Sequence, residues 1–370
     1  MLLWIVLYAV GALATFAAAF FLIKKIQHFA FVRKLAHGKK LWMWLIPLAM
    51  LVMWGAILGL FFDIVNIAVC FITLIVCWLL CDFVLWIVKK LRGNRKYKHY
   101  YQGACAVVLA CVYLLFGFYT AHNIVPTYYT IQNDKNDAKM RIIQLSDTHL
   151  GLVLKSDKFY KFIDSVNEQN PDIVVITGDY VDDDTKLQDL VTGCKALVKL
   201  SPKYGVWYVF GNHDRGYFSD ESKGWTISDL ESKLKAAGVH IMEDDVAQIG
   251  DSFTLIGRED ASGSYGKNRK TMQQLMQGQD ASKFSIVLDH QPRDYSNQAA
   301  AGVDLVLSGH THGGQLFPIN WSVCVLGKNC MAYGYKKIDN TNFIVSSGVG
   351  DWKVQFKTGC LAEYVVIDIE

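Results

Sequence analysis

Hydrophobic residues follow two different patterns along the 370-residue chain. Up to residue 122 they form four long runs, 1–23, 41–62, 64–88 and 103–121, of which the third is interrupted only by Asp82. Beyond residue 122 they form short runs that alternate with polar, helix-like stretches. At about 1.5 Å per residue, each long run can cross a hydrocarbon layer about 30 Å thick. The pattern predicts an N-terminal all-α bundle of four transmembrane helices over 1–122, a linker and edge strand over 123–139, and an α/β domain over 140–370.

Charge is distributed as unevenly as hydrophobicity. Residues 1–122 contain twelve Lys or Arg and two acids, whereas residues 123–370 contain 25 Lys or Arg and 32 acids. The basic residues fill the links after the first and third runs, and the middle link has only Asp63. Because basic loops stay cytoplasmic, we expect 24–40 and 89–102 inside and both termini outside. Their position beside apolar spans favours contact with anionic membrane lipids over nucleic acid.

The start of the chain bears on its location. A cleaved signal peptide would have a basic start and a shorter apolar stretch. Here the first basic residues come after the run, at Lys24 and Lys25, which predicts an uncleaved first helix with its N-terminus outside. The expected protein is therefore a multi-pass cell (inner) membrane protein whose residues 123–370 lie outside the cytoplasm, with no partner protein predicted.

The second part of the chain alternates strand-like and helix-like stretches. The strand-like runs are RIIQLSD, DIVVITGD, GVWYVFGN, SFTLIGRED, FSIVLDH and VDLVLSGH. Helical patterns cover 157–168, 185–200 and 226–236. Alternation of this kind is typical of an α/β or mixed sheet with buried central strands.

Five of these strand-like runs end in carboxylate, imidazole or amide side chains, which can bind metal ions. The run ends are Asp147-Thr148-His149, Gly178-Asp179, Gly211-Asn212-His213-Asp214, Asp289-His290 and Gly309-His310-Thr311-His312. Ligands gather at the carboxyl ends of strands in α/β sheets. Residues two apart on a strand face the same side, so Asp147 with His149, and His310 with His312, can each grip one ion. The glycines allow the backbone to turn tightly beside such ions.

The ordered motifs DTH, GDYVDD, GNHD, DH and GHTH resemble the five-motif signature of the calcineurin-like metallophosphoesterases, over roughly residues 140–370. The phrase SGHTHGGQLFP and the apolar N-terminal region resemble the membrane-associated bacterial branch of that superfamily. The resemblance implies an α-β-β-α sandwich: two β layers flanked by helices, with a dinuclear metal centre.

The resemblance also implies roles for individual residues. Asp147, His149 and His312 would bind one metal; Asn212, His290 and His310 would bind the other; and Asp179 would bridge both. Such nitrogen and oxygen ligands without thiolate suit two divalent transition-metal ions, Mn²⁺ above all, with Fe or Zn²⁺ as alternatives. A water activated between the ions would attack phosphorus, with His213 protonating the leaving oxygen. Asp182 matches the acid that orients this histidine, although a helix-capping or solvated role stays open.

The expected function is hydrolysis of phosphoester or pyrophosphate bonds, in lipid or cell-envelope substrates. Protein phosphatases of the superfamily carry DRG where this chain has Asp182-Asp183-Asp184, which disfavours protein dephosphorylation. A UDP-2,3-diacylglucosamine pyrophosphatase-type enzyme of lipid A synthesis is the main alternative. A transporter-like bundle with a regulatory phosphoesterase domain is the non-enzyme alternative. The spans contain few charges and only one proline, Pro47, which favours an anchor.

Two further groups of residues leave alternatives open. Arg258, Arg269 and Arg293 could pair with substrate phosphates or lie on the surface as solvated charges. Cys324 and Cys330 follow the last metal motif, and an extracytoplasmic location permits a disulfide between them. Two free thiols are the alternative.

Overall fold

The computed structural model describes residues 2–92, 100–217, 223–262 and 267–370, with side chains omitted at 2–10, 12 and 92. Arg95, Lys96 and Lys98 of the predicted second basic loop lie outside the described residues. The chain divides into two compact units, Met1–Phe116 and Gly117–Glu370.

The first unit is helical. Its helices are α1 Leu2–Ile26, α2 Ala30–Leu35, α3 Lys40–Leu58, α4 Ile64–Arg92 and α5 Tyr101–His122, the last of which ends in the second unit. Among the described residues, α3, α4 up to Leu91, and α5 are long and apolar enough to cross a membrane. This confirms the predicted membrane region. The first predicted span falls in α1, and the number of spans stays a prediction.

Contacts within the first unit bring the end of α1 and the start of α5 to the same stretch of α4. Lys25, at the end of α1, forms an ion pair with Asp82 of α4. The indole N–H of Trp78 donates a hydrogen bond of 3.0 Å to the hydroxyl of Tyr100, just before α5. Phe29 packs edge-on against Trp78, with ring centroids 6.2 Å apart. The two basic links therefore leave the bundle at the same end.

The second unit contains two six-stranded sheets. The first sheet has the order β1-β12-β2-β3-β4-β5, and the second has the order β10-β11-β9-β8-β7-β6. The strands are β1 Ile124–Ile131, β2 Met140–Leu145, β3 Ile173–Thr177, β4 Val206–Val209, β5 Val239–Met242, β6 Asp245–Ile249, β7 Phe253–Gly257, β8 Phe284–Leu288, β9 Leu305–Ser308, β10 Gly334–Ile338, β11 Thr341–Val345 and β12 Ala362–Ile369. The helices are α6 Ser156–Glu168, α7 Leu187–Leu197, α8 Ile227–Ala236, α9 Met272–Met276, α10 Tyr295–Ala300 and α11 Ser322–Val325.

Alternation along the strands produces the layers. Ile142 of β2 packs between the two sheets with Leu255 and Ile286 of the second sheet. The next residue, Ile143, faces the opposite side, where α6, α7 and α8 cover the first sheet. Val287 likewise faces α9 and α10 on the outside of the second sheet. Successive side chains of a strand point to opposite faces, so strands that are apolar throughout must be covered on both. The arrangement is the predicted α-β-β-α sandwich.

Strand direction places the polar strand ends together. In the first sheet β2, β3, β4 and β5 run parallel. In the second sheet β7, β8, β9 and β11 run parallel. Five of these strands, β2, β3, β4, β8 and β9, end at the residues that the sequence identifies as candidate ligands. Their carboxyl ends therefore define one edge of the sandwich.

Candidate metal centre

The backbone at the strand ends adopts an uncommon conformation. Five candidate ligands have positive φ: Asp147 (51°), His149 (39°), Asp179 (52°), His310 (72°) and His312 (48°). Residues other than glycine reach this left-handed region at a cost of about 1–3 kcal/mol each, and such strain concentrates at functional sites. The conformation turns each chain sharply after its strand, so that successive side chains converge instead of alternating.

One group of converging side chains contains Asp147, His149 and His312, whose potential ligand atoms all lie within 4.8 Å of one another. The three residues are buried. Nε2 of His312 lies 3.6 Å from Oδ1 of Asp147. The backbone N–H of His310 donates to the same carboxylate at 2.9 Å, which fixes its orientation. These are the three residues predicted to share one ion.

A second group contains Asp179, His290 and His310, again within 4.8 Å. Nε2 of His290 lies 3.2 Å from Oδ2 of Asp179. The side-chain oxygen of Asn212 lies 3.1 Å from Nε2 of His290 and 2.7 Å from Nδ1 of His310. The other nitrogen of His290 contacts the carbonyl oxygen of Thr177 at 2.8 Å, which orients the ring. The structure thus brings together the four residues predicted around the second ion.

Asp179 joins the two groups. Its Oδ2 lies 3.2 Å from Nε2 of His290 in one group and 3.6 Å from Nε2 of His149 in the other. Its Oδ1 accepts the backbone N–H of His213 at 2.8 Å. A Cβ on Gly211 would stand 2.2 Å from this Oδ1, so only glycine allows the two loops to approach this closely. A carboxylate shared between two ligand groups is the geometry expected of a bridging ligand.

His213 and Asp182 lie beside the first group. Oδ2 of Asp182 is 3.0 Å from Nδ1 of His213 and also 3.0 Å from Nδ1 of His149. The three residues form a further cluster within 4.8 Å. Asp182 is therefore placed to orient His213, as the resemblance implies, and it holds His149 as well. No motif spacing indicates this second contact.

Asp214 supports the loops rather than lining the ligand groups. Its carboxylate accepts the backbone N–H groups of Asp179, Tyr180, Val181 and Gly211 at 2.6–3.1 Å. Burial and the negative charge of Asp179 raise the pKa of Asp214 to about 6, against the opposing effect of these N–H groups. The four hydrogen bonds give Asp214 the role of holding the two loops together.

Burial and neighbouring charges shift the pKa values of the site histidines in opposite directions. Burial lowers the pKa of His149, and it lowers the pKa of His310 to about 3. Despite its burial, Asp179 has a pKa well below its usual range because His290 and other imidazoles lie close to it. At His290, the negative charge of Asp179 outweighs the effect of burial and raises the pKa of the imidazole well above its ordinary value. At His213, burial is outweighed by the contact with Asp182 and the charge of Asp179, which raise the pKa to about 9.

Two residues near the site escaped sequence reasoning. Oδ1 of Asp351 lies 3.0 Å from Nδ1 of His312, on the ring nitrogen opposite Asp147. Nζ of Lys357 lies 3.2 Å from the same carboxylate and donates to the carbonyl oxygen of Ser347 at 2.7 Å. Asp351 and Lys357 are fully buried. A metal-binding histidine commonly gives its second nitrogen to such a carboxylate, but the partner follows a different strand, so no spacing indicated it.

The three arginines considered as phosphate ligands have different surroundings. Arg258 is buried and contacts Asp289 at 3.2 Å and Asp294 at 2.7 Å. Arg269 contacts the same Asp289 at 2.5 Å. These two arginines therefore neutralise the negative charges of nearby carboxylates. Arg293 is exposed, and its charge contributes to the lowered pKa of His310.

The structure leaves Cys324 and Cys330 as free thiols, which is the alternative to the disulfide. Sγ of Cys330 lies 3.4 Å from the carbonyl oxygen of Arg293.

The donor set fits divalent transition-metal ions. His149 is fully buried, and its Nε2 has no hydrogen-bond partner within the described part of the chain. A buried polar atom without a partner is costly, and this nitrogen faces the carboxylate of Asp179 at 3.6 Å. A bound cation would satisfy both atoms. The predicted set of imidazole, carboxylate and amide donors is thus geometrically suited to divalent transition metals.

A two-sheet sandwich with imidazole, carboxylate and amide groups converging at one edge defines the class of metal-dependent phosphoesterases. Residues 140–314 match the calcineurin-like phosphoesterase family model. The chain belongs to the calcineurin-like metallophosphoesterases, which confirms the family inferred from the five motifs. The predicted enzyme class, a metal-dependent phosphoesterase, is confirmed at the level of the family.

Relatives extend the comparison to membrane proteins. An uncharacterized metallophosphoesterase of Campylobacter jejuni is 32% identical over 242 residues, which cover 65% of this chain and 61% of that protein. A metallophosphoesterase of Aquifex aeolicus is 32% identical over 60% of this chain and 82% of its own length. A bovine transmembrane protein with a metallophosphoesterase domain is 30% identical over 60% of this chain and 51% of its own length. The match thus spans less than two thirds of the Campylobacter relative.

Proposed function

We propose that this protein is a membrane-anchored phosphohydrolase that cleaves phosphoester or pyrophosphate bonds, with lipid or cell-envelope molecules as substrates. The observation that carries the proposal is the convergence of seven predicted ligands from five strand ends, with Asp179 between the two groups. The membrane-crossing helices of the same chain support a substrate that is found at a membrane.

Two metal positions follow from the two groups of side chains. Asp147, His149 and His312 would hold one ion, and Asn212, His290 and His310 the other, with Asp179 between them. We propose Mn²⁺ as the native metal, with Fe or Zn²⁺ as alternatives. When bound, such a pair supplies Lewis-acid stabilisation to a phosphate oxygen and lowers the pKa of a water.

The remaining residues of the site have roles that do not require them to bind metal. Because Asp182 contacts Nδ1 of His213, Nε2 is the nitrogen left to give a proton to the leaving oxygen. Arg293 would attract the phosphate charge. A cleft of about 360 Å³ lies beside His310 and His312 and includes Val323, Leu326 and Trp352 in its lining. Its apolar wall suits a substrate that carries an apolar group next to its phosphate.

The substrate class is tested by assaying the purified full-length protein, loaded with one defined metal at a time. The panel is a phosphomonoester, a phosphodiester and a pyrophosphate diester, each offered in solution and as a lipid in vesicles. We expect metal-dependent hydrolysis, with the lipid form preferred over its soluble counterpart. Equal rates on soluble and lipid forms would contradict a membrane substrate, and no hydrolysis at full metal occupancy would contradict the activity itself.

The second unit is proposed to face the extracytoplasmic side. The contacts among Lys25, Asp82, Trp78 and Tyr100 put both basic links at one end of the bundle, and basic links are retained in the cytoplasm. Each basic residue near an anionic leaflet contributes about 1 kcal/mol. A reporter fused after Glu370 is therefore expected to be active only outside the cytoplasm. A reporter active only in the cytoplasm would reverse the orientation and favour UDP-2,3-diacylglucosamine hydrolysis.

Asp351 provides a selective test of the first metal position. Asp351→Asn is expected to weaken binding of one of the two ions by roughly 10–100-fold, the usual effect of losing a carboxylate behind a metal-binding histidine. The other ion should bind as in the parent, because Asp351 contacts His312 alone among the predicted ligands within the described residues. Metal titration against a chromophoric chelator measures both affinities.

This variant needs a charge-balanced partner, because Asp351→Asn leaves the buried Lys357 without its carboxylate. Asp351→Asn combined with Lys357→Met removes both charges and should show the same selective loss. Asp164→Asn, at a side chain that is 60% exposed, is the matched control and should bind both ions normally. Unchanged affinity for both ions in a folded double variant would show that Asp351 does not position His312.

A further inference from the structure

The segment that follows the last metal motif is apolar and exposed. Residues 316–327, LFPINWSVCVLG, contain no charged residue and are named here the apolar segment. It forms a 3-10 helix, Ile319–Trp321, followed by α11. Its exposed fractions are 54% for Ile319, 60% for Trp321, 66% for Val325 and 80% for Leu326. So many large apolar side chains exposed within eight residues mark an interaction surface rather than a solvated loop.

The start of the apolar segment is connected to the C-terminal part of α5, Gly117–Thr120, through residues 357–358. The backbone N–H of Lys357 donates to the carbonyl oxygen of Gly117 at 2.8 Å. The hydroxyl of Thr120 donates to the carbonyl oxygen of Lys357. The hydroxyl oxygen of Thr358 in turn accepts the backbone N–H of Phe317 at 3.0 Å. Three hydrogen bonds, through the two adjacent residues Lys357 and Thr358, therefore connect Phe317 to the end of α5.

This connection determines the depth of the segment relative to a bilayer. Helix α5 is one of the helices long and apolar enough to cross a membrane. On the proposed membrane anchor, its end at His122 lies at the membrane surface. Phe317 is held beside the C-terminal part of this helix, and Trp321 lies four residues further on. Tryptophan is enriched at the boundary between headgroups and acyl chains. Lys328, directly after the segment, is of the type that extends its charge toward headgroups.

We propose that the apolar segment inserts into the surface of the same bilayer that α5 crosses, and that this contact holds the metal centre against the lipid headgroups. Surface-seeking helices bury an apolar face about 5–10 Å deep at this boundary. The segment begins four residues after His312, and its Val323 and Leu326 line the cleft beside His310 and His312. A phosphate carried by a membrane lipid can then reach the site without leaving the bilayer. The inference rests on the membrane anchor and extends the proposed function by naming the bilayer as a binding partner.

The test labels the full-length protein in vesicles of phosphatidylethanolamine and phosphatidylglycerol. The probe is 3-trifluoromethyl-3-(m-iodophenyl)diazirine, which partitions into the apolar layer, with glutathione present to remove the reagent from water. Mass spectrometry of peptides is expected to show label in 316–327 as well as in the crossing helices. The reference is Val198, which is 62% exposed and lies beyond the end of α7. Label in 316–327 no higher than at Val198 would overturn the proposal.

Two variants sharpen this test. Trp321→Ser combined with Val325→Ser should reduce labelling of 316–327 several-fold and leave the crossing helices labelled, because both side chains are exposed within the segment. Val198→Ser should change nothing. Far-ultraviolet circular dichroism checks that the double variant is folded, and the labelling itself needs no activity. Failure of the proposed function therefore leaves this test intact.

The same experiment distinguishes the bilayer from two other binding partners of the apolar segment. Label that disappears when the protein is diluted into excess lipid would assign the segment to contact between two copies of the chain and overturn the proposal. Label that appears only when a lipid phosphoester is added would assign it to the acyl chains of the substrate, with the same consequence. Label that persists at low protein density, in vesicles without any added substrate, supports docking on the bilayer.

Discussion

Replacement of Asp179 by asparagine is expected to reduce phosphoester hydrolysis by about 10³-fold or more. The carboxylate lies between the two ligand groups, with Oδ2 3.2 Å from His290 and 3.6 Å from His149. Its removal therefore takes a negative ligand from both proposed ions at once. Lewis-acid stabilisation contributes several kcal/mol to such reactions, and each 1.4 kcal/mol corresponds to a tenfold change in rate. Rates are measured on the purified variant in saturating metal.

The matched control is Asp184→Asn, two residues after Asp182, where the side chain is 63% exposed. It should retain the parent rate. A folded Asp179→Asn protein with the parent rate would show that the shared carboxylate is not part of the reacting centre.

His213→Ala is expected to reduce the rate by roughly 10²–10⁴-fold while metal content stays unchanged. The magnitude is that of losing a general acid or base. Metal should remain because His213 belongs to the cluster with Asp182 and lies outside the two groups that converge on Asp179. The loss should shrink for substrates with good leaving groups, since these need little protonation. Rates with 4-nitrophenyl and alkyl leaving groups, with metal analysis of the same samples, provide the measurement.

His240→Ala is the control for this experiment, because His240 lies in β5 and stacks on Trp207, with ring centroids 4.4 Å apart. It should keep the parent rate on every substrate. Loss of metal from the His213 variant, or an equal loss of rate for good and poor leaving groups, would mean that His213 is not an acid catalyst.

Much of the fold could be predicted because apolar periodicity is local. The runs RIIQL and DIVVIT correspond to β2 and β3, and the helical patterns to α6, α7 and α8. Strands such as β6 and β10 have polar or charged residues at several positions, and their pairing with neighbours, rather than their composition, makes them strands. The order of the strands depends on such long-range pairing, which no local pattern contains.

The candidate site was predictable for a similar reason. Each predicted ligand follows a recognisable strand within a few residues. A motif in this position is therefore predicted to lie at the carboxyl end of its strand. Asp351 and Lys357 lack this signal, because they follow β11 in an irregular stretch and approach His312 only in the folded chain. The positive φ angles at Asp147 and Asp179 could not be predicted from the sequence either, because they occur where several loops converge in the folded chain.

The most direct test of the two-metal centre combines two readings on one sample. The purified full-length protein is stripped with a strong chelator and reloaded stepwise with Mn²⁺, and both the bound metal per chain and the rate of phosphodiester hydrolysis are recorded at each step. The geometry predicts about two bound ions per chain at the full rate, and almost no hydrolysis in the stripped protein. A full rate in the metal-free protein would contradict it.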